Sequence, residues 1–304
     1  MNYSKDFSVI VPTWRGAIQY LPRLFDSIPE KDGIEIIVVD NSLEPINREE
    51  IKSKRNIVLL HSAPDRHAGG SRNEGIVASN GKWLLFADSD DYYSIDAFDI
   101  YYEHVDTEAE IVYTGMGGVY DDTGEPSDRG DIYAQLVHDY CNGIIDDATL
   151  RFSFSSPCCK MVSHDLVTRH NLRYDEIRAG NDNYFSITSG FYAKSIIAID
   201  KVTYIASVNR GSLTKRSDYN VLRARFYAKL HCNQFFRQHH LSNRQYSVMY
   251  ALVESRKFGA SKMFELFRML FKFHQNPFIG WKNWIKTVRT LNRQKEKDID
   301  YVTK

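Results

Sequence analysis

The 304-residue sequence has four cysteines, no long uncharged apolar run and a formal net charge of zero. Each shortage excludes something. Cys141, Cys158, Cys159 and Cys232 show no metal-ligand spacing, and adjacent Cys158 and Cys159 are poorly placed to pair with each other, so reduced structural thiols are expected. No stretch approaches the roughly 20 apolar residues that cross a bilayer. The opening MNYSKDFSVIVPTW runs straight into a strand-like segment, without a signal peptide's apolar core and cleavage site, and a cytoplasmic protein is expected. Glycine is missing where a dinucleotide fold needs it: Gly69-Gly70 is not a G-x-G-x-x-G fingerprint. There is no internal repeat and no low-complexity tract.

What is present is the composition of a folded protein, 43% hydrophobic and 26% charged, long enough for one large domain or two smaller ones. The zero net charge conceals a separation. Residues 1–214 hold 20 Lys and Arg against 33 Asp and Glu, whereas residues 215–304 hold 19 against 6. Such a basic tail meets an acidic partner or packs on the acidic body of its own chain. Nucleic acid is not expected as a partner, because the acidic body repels phosphate backbones.

Apolar runs at FSVIVP (7–12), IEIIVVD (34–40), NIVLLHS (56–62) and KWLLFAD (82–88) read as buried strands. Helical spacing at Ile18, Leu21, Leu24, Phe25 and Ile28 predicts a helix over 17–28, with Pro22 early in it. A shorter helix is expected over 71–79. Strands alternating with helices predict a parallel α/β sheet, whose ligands bind beyond the carboxyl ends of the strands. Beyond residue 110 the rhythm loosens. IVYTGMGGVY reads as a strand, DDTGEPSDRGD (121–131) as an exposed loop, and SFSSPCCKMVS and KSIIAIDKVTYIAS as strand candidates on either side of a helical HDLVTRHN. From about residue 219 the pattern is helical.

Asp88-Ser89-Asp90-Asp91 follows the fourth strand. Carboxylates this close repel one another unless something positive shares their space. Asp88 and Asp90 lie on one side of the chain with Ser89 on the other, and such an oxygen pair suits Mg²⁺ or Mn²⁺ together with a diphosphate. The plainer reading is a solvated turn, or Asp91 capping a helix near Ser94. Arg72-Asn73, just after Gly69-Gly70, suits phosphate oxygens or a surface ion pair with Glu74. Asp40-Asn41 is placed to bond a base or ribose, or to form an Asx turn. Asp182, flanked by Tyr184 and Phe185, reads as a general base of raised pKa or as a helix N-cap.

Taken in order, these pieces resemble the family 2 glycosyltransferases of the GT-A fold over roughly residues 5–215. FSVIVPTWRGAIQYLPRLFDSI is similar to the family's first strand, loop and helix, which implies donor contacts at Pro12, Thr13 and Trp14. IEIIVVDNS resembles its nucleoside-reading turn, at Asp40 and Asn41. GGSRNEGIVASNGKWLLFADSDD resembles the run to the D-x-D group, implying donor contacts at Arg72, Asp88 and Ser89 and a metal held by Asp90 with Asp88. PCCKMVSHDLVTRHNLRYDEIRAGNDNYF resembles the acceptor half, with Lys160 offsetting diphosphate charge and Asp182 as catalytic base. NRGSLTKR resembles a donor-closing loop, at Ser212 and Thr214. The resemblance implies a mostly parallel GT-A sheet flanked by helices over 1–215, with a nucleotide-sugar half (1–105) and an acceptor half (106–215). A basic, aromatic-rich helical region (216–304) follows.

The implied activity is inverting, metal-dependent transfer of a sugar from a nucleotide diphosphate-sugar to a hydroxyl of a glycan or lipid-linked glycan, in bacterial surface-polysaccharide synthesis. Mg²⁺ or Mn²⁺ is the implied cofactor. Phe271, Phe273, Phe278, Trp281 and Trp284, interleaved with Lys262, Arg268, Lys272, Lys282, Lys286 and Arg289, suit peripheral contact with the inner face of the cytoplasmic membrane, or packing on the body or on a second subunit of an oligomer. Three places depart from the family pattern. Trp14-Arg15 replaces Tyr-Asn, Asp40-Asn41-Ser42 lacks a glycine and brings an amide to the base-reading position, and Asn181 replaces a glutamate. The competing readings are an inactive relative or carbohydrate-binding protein, which would have lost the acids, and a sugar-nucleotide nucleotidyltransferase, which would need more glycine than VPTWRGAIQY holds.

Overall fold

The first apolar run forms β1 (Lys5–Thr13), and the sheet grows from it in both directions. On one side β1 pairs in parallel with β2 (Ile34–Asp40), which pairs in parallel with β3 (Val58–His61). On the other it pairs in parallel with β4 (Gly81–Phe86). The remaining strands are β5 (Tyr92–Tyr93), β6 (Ile111–Tyr120), β7 (Pro126–Ser127), β8 (Lys160–Ser163) and β9 (Ile196–Val208). The computed structural model describes residues 3–53, 55–208 and 218–279. Among these the sheet runs β3-β2-β1-β4-β8-β6-β9-β5, with β7 beside β6. Only β5, β7 and β8 oppose the common direction, so the sheet is mostly parallel, as the alternation of strands and helices predicts. Connections leave β1 toward β2 and enter β4 on its other flank, which makes the β1/β4 boundary a topological switch point.

The predicted helix over 17–28 is a 3-10 turn (Arg15–Tyr20) followed by α1 (Leu21–Asp26). Pro22 decides this: without an N–H it is tolerated only in the first helical turn, so the α-helix starts beside it. The short helix starts earlier than its spacing suggests, as α2 (His67–Ala78). Further helices are α3 (Ala97–Glu103), α4 (Asp131–Cys141), α5 (Asp147–Ser153), α6 (His164–Arg169) and α7 (Asp182–Tyr192). The 121–131 segment is exposed for most of its length but is not a free loop. It forms β7 and then lays Gly130 so close to Met116 that a Cβ would sit 2.3 Å from the Met116 carbonyl oxygen.

The core lies along both faces of the sheet. Phe86 at the end of β4 packs edge-on against Tyr174 and Phe185, ring centroids 5.2 and 5.5 Å away, and those two rings stack at 4.1 Å. This cluster ties the fourth strand to the segment entering α7.

The chain divides into two compact units, Met1–Lys215 and Arg216–Lys304. The second contains α8 (Tyr219–Gln238), α9 (Met249–Ser255) and α10 (Ala260–Lys272) around Phe226, Leu230, Val248, Leu266 and Leu270. Buried Asn233 accepts from the Tyr246 N–H and donates to its carbonyl, fastening the turn after α8. α10 buries Leu266 and Leu270 but leaves Phe264, Phe267 and Phe271 exposed, at 65, 38 and 79%. Among the described residues no helix is long and apolar enough to cross a membrane. Trp281, Trp284, Lys282, Lys286 and Arg289 lie outside the described residues. All four cysteines are free thiols, Cys141 exposed and the others buried.

Phe86→Ala empties a site enclosed by two aromatic rings, and is expected to cost about 3–5 kcal/mol of stability, read from urea unfolding of the full chain.

Candidate functional site at the carboxyl edge of the sheet

Pro12 lies in a strand paired on both sides, where proline is normally excluded. It is tolerated because the β1–β4 ladder ends before it: the Ala87 N–H donates to the Ile10 carbonyl, and Pro12, of the same parity, faces the side where no partner strand remains. Beyond this point only the β2 side continues, with the Asn41 N–H donating to the Thr13 carbonyl at 3.0 Å. The strands thus part at the switch point. Thr13 is buried there, its hydroxyl without a hydrogen-bond partner.

One end of this edge is a cavity of about 450 Å³ lined by Trp14, Arg15, residues 41–44 and Pro64. Trp14 is extended and 57% exposed, and its indole lies over Gly16, where a Cβ would meet the ring at 2.2 Å. Glycine at 16 is therefore what lets the indole lie flat on the loop. Asp40, 1% exposed, spends both carboxylate oxygens on this loop. One accepts from the Ser42 N–H and hydroxyl at 2.9 and 2.5 Å, the other from the Ile46 N–H at 2.8 Å, with His61 Nδ1 at 3.2 Å. Burial pushes the Asp40 carboxyl up, but these bonds outweigh it and hold its pKa below the usual value. Asp40 shapes the cavity, and Asn41 is the member of the predicted pair that lines it. Arg15, which the sequence reading left unassigned, closes the same loop by pairing with Glu50 and donating to the Pro45 carbonyl at 3.0 Å.

The acids at the end of β4 have positive neighbours, and these are arginines. Arg72, 4% exposed, donates to Asp88 at 2.5 Å and to the Asn181 side chain at 2.9 Å, with Tyr174 under its guanidinium at 5.3 Å. Burial works against its charge, but Asp88 and its other neighbours prevail and raise its pKa. Arg23 of α1 donates to the Asp90 carbonyl at 2.5 Å and the Ser207 hydroxyl at 2.8 Å, and pairs with Asp121. Arg129, delivered by the segment read as a plain loop, donates to the Ser207 carbonyl at 2.6 Å and is held protonated by Asp91, Asp88 and Asp90 against its burial. Asp91, 2% exposed, accepts from the Ser207 N–H at 2.7 Å, tying the turn to the end of β9. Its pKa and that of Asp90 are raised, first by burial and then by the neighbouring acids. Ser89 is buried beneath the turn. Arg23 and Arg129 lie far from the D-x-D in sequence, so no local pattern announced them.

Across the edge, Asp182 opens α7. Asn181 precedes it as cap residue, so the N-cap alternative for Asp182 fails. Its pKa is raised by burial, against the pull of Arg72 and Lys160. Lys160 corrects its expected role: it is 1% exposed, its ammonium donates to the Ser186 hydroxyl at 3.0 Å, and it lies enclosed in the sheet instead of facing a diphosphate. Gly69 also has a different task from cradling phosphate. A Cβ there would lie 2.0 Å from the Asp175 carbonyl oxygen, so the glycine lets the segment before α7 cross the start of α2. Asn73 then bonds both backbone groups of Tyr174, and Arg66 pairs with Glu176. Ser212 and Thr214 lie outside the described residues.

The donor set fits a hard divalent cation supplied with further oxygen ligands. Asp88 keeps 37% side-chain exposure, and burial and the neighbouring Asp88 make ionisation of the Asp90 carboxyl costly, a cost that a cation would relieve. Among the described residues no group of three or more His, Cys, Asp or Glu is arranged to hold a metal by itself, so a diphosphate and water would have to complete the shell.

A family model described as glycosyl transferase family 2 matches residues 8–169. The chain is 26% identical over 197 residues to EpsH of Bacillus subtilis (strain 168), itself only provisionally named a glycosyltransferase, covering 61% of this chain and 55% of that one. It is 22% identical over 213 residues to the poly(ribitol-phosphate) beta-glucosyltransferase of Bacillus spizizenii, covering 67% and 32%. The chain thus spans about half, or less, of these relatives' length. The crystal structure of S. aureus TarS 1-349 in complex with UDP-GlcNAc matches with a TM-score of 0.54 at 22% identity, over 79% of this chain and 72% of that one. This likeness shows the fold, which is GT-A.

Arg72→Lys keeps the charge but gives up the fork that joins Asp88 to Asn181. We expect a loss of about 2 kcal/mol in urea unfolding and a larger proportional loss in donor affinity.

Proposed function

Since the chain belongs to glycosyl transferase family 2, we propose that it transfers a sugar from a nucleotide diphosphate-sugar to an acceptor hydroxyl with inversion at the anomeric carbon. The observation that carries this reading is the convergence, at one switch point, of an open nucleoside-sized cavity, an acid turn backed by three arginines, and a carboxylate of raised pKa facing them. Trp14 and Asn41 are placed to hold the base and ribose end. Thr13, with its unpaired hydroxyl, Arg72 and the turn at Asp88 hold the diphosphate end. Asp182 accepts the acceptor's proton as its oxygen attacks, and a carboxyl whose pKa lies above its usual value is a stronger base for that task. One displacement suffices, so no protein nucleophile is needed.

Asp90 and Asp88 would hold a Mg²⁺ or Mn²⁺, which when bound neutralises charge on the departing diphosphate. UDP is the first nucleotide to try, because the solved relative TarS was crystallised with UDP-GlcNAc. The acceptor class we propose is a glycan or lipid-linked glycan in cell-surface polysaccharide synthesis, following the poly(ribitol-phosphate) transferases among the relatives.

Thermal unfolding with UDP, GDP, TDP or CDP, each with and without Mn²⁺, tests the donor site. One nucleotide should stabilise the chain only with the metal, by about 2.7 kcal/mol at 100 times its Kd, and Asp90→Asn should abolish the shift. The ligand-free variant should be the more stable protein near neutral pH. Asp90 has a raised folded pKa, so its contribution is intact below the unfolded carboxyl value and is lost as pH rises through the folded one. The amide does not undergo that loss. Asp182→Asn should lower kcat by about 10²–10⁴ with nucleotide binding intact; near-normal turnover would reject the base assignment.

The second unit supports peripheral attachment to the cytoplasmic face of a membrane. Phe264, Phe267 and Phe271 share one exposed face of α10, with Lys262, Arg268 and Lys272 on the same helix, a pairing that suits an anionic lipid surface. In flotation assays the full chain should bind phosphatidylglycerol vesicles and not phosphatidylcholine ones, and replacing the three phenylalanines by serine should release it. Unchanged flotation of that variant, or self-association of the wild type in place of vesicle binding, would reject this face as a lipid contact.

A further inference from the structure

Lys160 opens β8 near the middle of the sheet, between β4 and β6, and is 1% exposed. A fully buried ammonium is expensive unless its charge is used. Its Nζ donates to the Ser186 hydroxyl at 3.0 Å, and Ser186 donates onward to the Ser155 carbonyl at 2.9 Å. The Phe154 and Tyr113 rings lie 5.6 and 6.0 Å from it. Ser186 is four residues after Asp182 in α7, hence on the same face and one turn away.

We propose that Lys160 is a positioning residue for the base: its ammonium, fixed by Ser186 one turn along α7 from Asp182, sets a positive charge against the end of the helix that carries the carboxylate. This rests on the reading of Asp182 as base. The groups acting on Asp182 are Arg72 from α2, Asp88 from the acid turn and Lys160 from β8, and Asp182 in turn acts on the hydroxyls of Tyr133 and Tyr174. Arg72 already spends its terminal nitrogens on Asp88 and Asn181. Facing Lys160 are the Cys158 and Cys159 thiols, both held neutral by burial, and Asp182 as carboxylate. Burial draws the lysine down to about 8, which still leaves it mostly protonated at neutral pH. Its charge therefore opposes the burial that raises the Asp182 pKa.

The test compares urea unfolding of the full chain as wild type, Lys160→Met, Asp182→Asn and the double variant, at pH 7.5 and pH 4. A charge interaction predicts that the two effects on the unfolding constant depart from multiplicativity by about tenfold at pH 7.5, equivalent to one pKa unit. At pH 4, where Asp182 begins to take up its proton because its folded pKa lies above the ordinary carboxyl value, the departure should shrink. Independent effects at pH 7.5, or an equal departure at both pH values, would overturn the proposal. If Lys160→Met does not fold, Ser186→Ala takes its place in the cycle, with the same sign and a smaller factor. Turnover supplies the second readout, as UDP released from UDP-GlcNAc with water as acceptor. Lys160→Met should move the acid limb of kcat/KM up by about one pH unit and Lys160→Arg should restore it; a uniform loss at all pH values counts against the proposal. Turnover by Asp182→Asn addresses the base assignment itself, whereas the unfolding cycle does not depend on it.

Discussion

The site depends on a guanidinium taken out of water. Arg72 comes from α2, yet one nitrogen grips Asp88 at the end of β4 and another grips Asn181 at the threshold of α7. Its position fixes the acid turn, the start of the helix bearing Asp182, and the separation between them. An arginine suits this because its donors form a rigid fork and its charge survives burial. The aromatic stack of Phe86, Tyr174 and Phe185 supports the same junction from the core side.

Around that junction the protein places more charge than ion pairing requires. Asp90 and Asp91 are ionised only at a cost, and Arg23 and Arg129 offset it partly, through the turn's carbonyl and the end of β9. Stability given up here is what allows a charged ligand to be bound, since relieving the remaining repulsion contributes to its affinity. The cavity beside Trp14 is built the other way. Asp40 is satisfied by three donors of its own loop and by His61, so the cavity wall is rigid before anything enters.

Much of this was legible in the sequence because it was local. The four strand runs, the D-x-D turn and the arginine on the short helix before the fourth strand carry their signal within a few residues, and the sheet direction follows from their alternation. What escaped notice was made by tertiary approach. Arg129 belongs to a turn-rich stretch that reads as solvent-exposed until β7 returns it to the acids. Lys160 reads as a phosphate ligand because nothing in PCCKMVS reveals that β8 lies inside the sheet. Gly69-Gly70 matches no dinucleotide fingerprint and carries no local sign of its task, although Gly69 is demanded by the crossing backbone at Asp175. In no case does the stretch itself show the neighbour, a hundred residues away for Gly69, that decides the residue's role.

The crossing at Gly69 has a consequence for how such a chain can change. The segment of residues 174–181 is pinned to α2 and the residue before it through backbone groups, a glycine, the Arg72–Asn181 bond and the Arg66–Glu176 ion pair, so insertions there would part Asp182 from the acid turn. Selection has almost no freedom to rewrite this strap, so divergent lineages should agree in it.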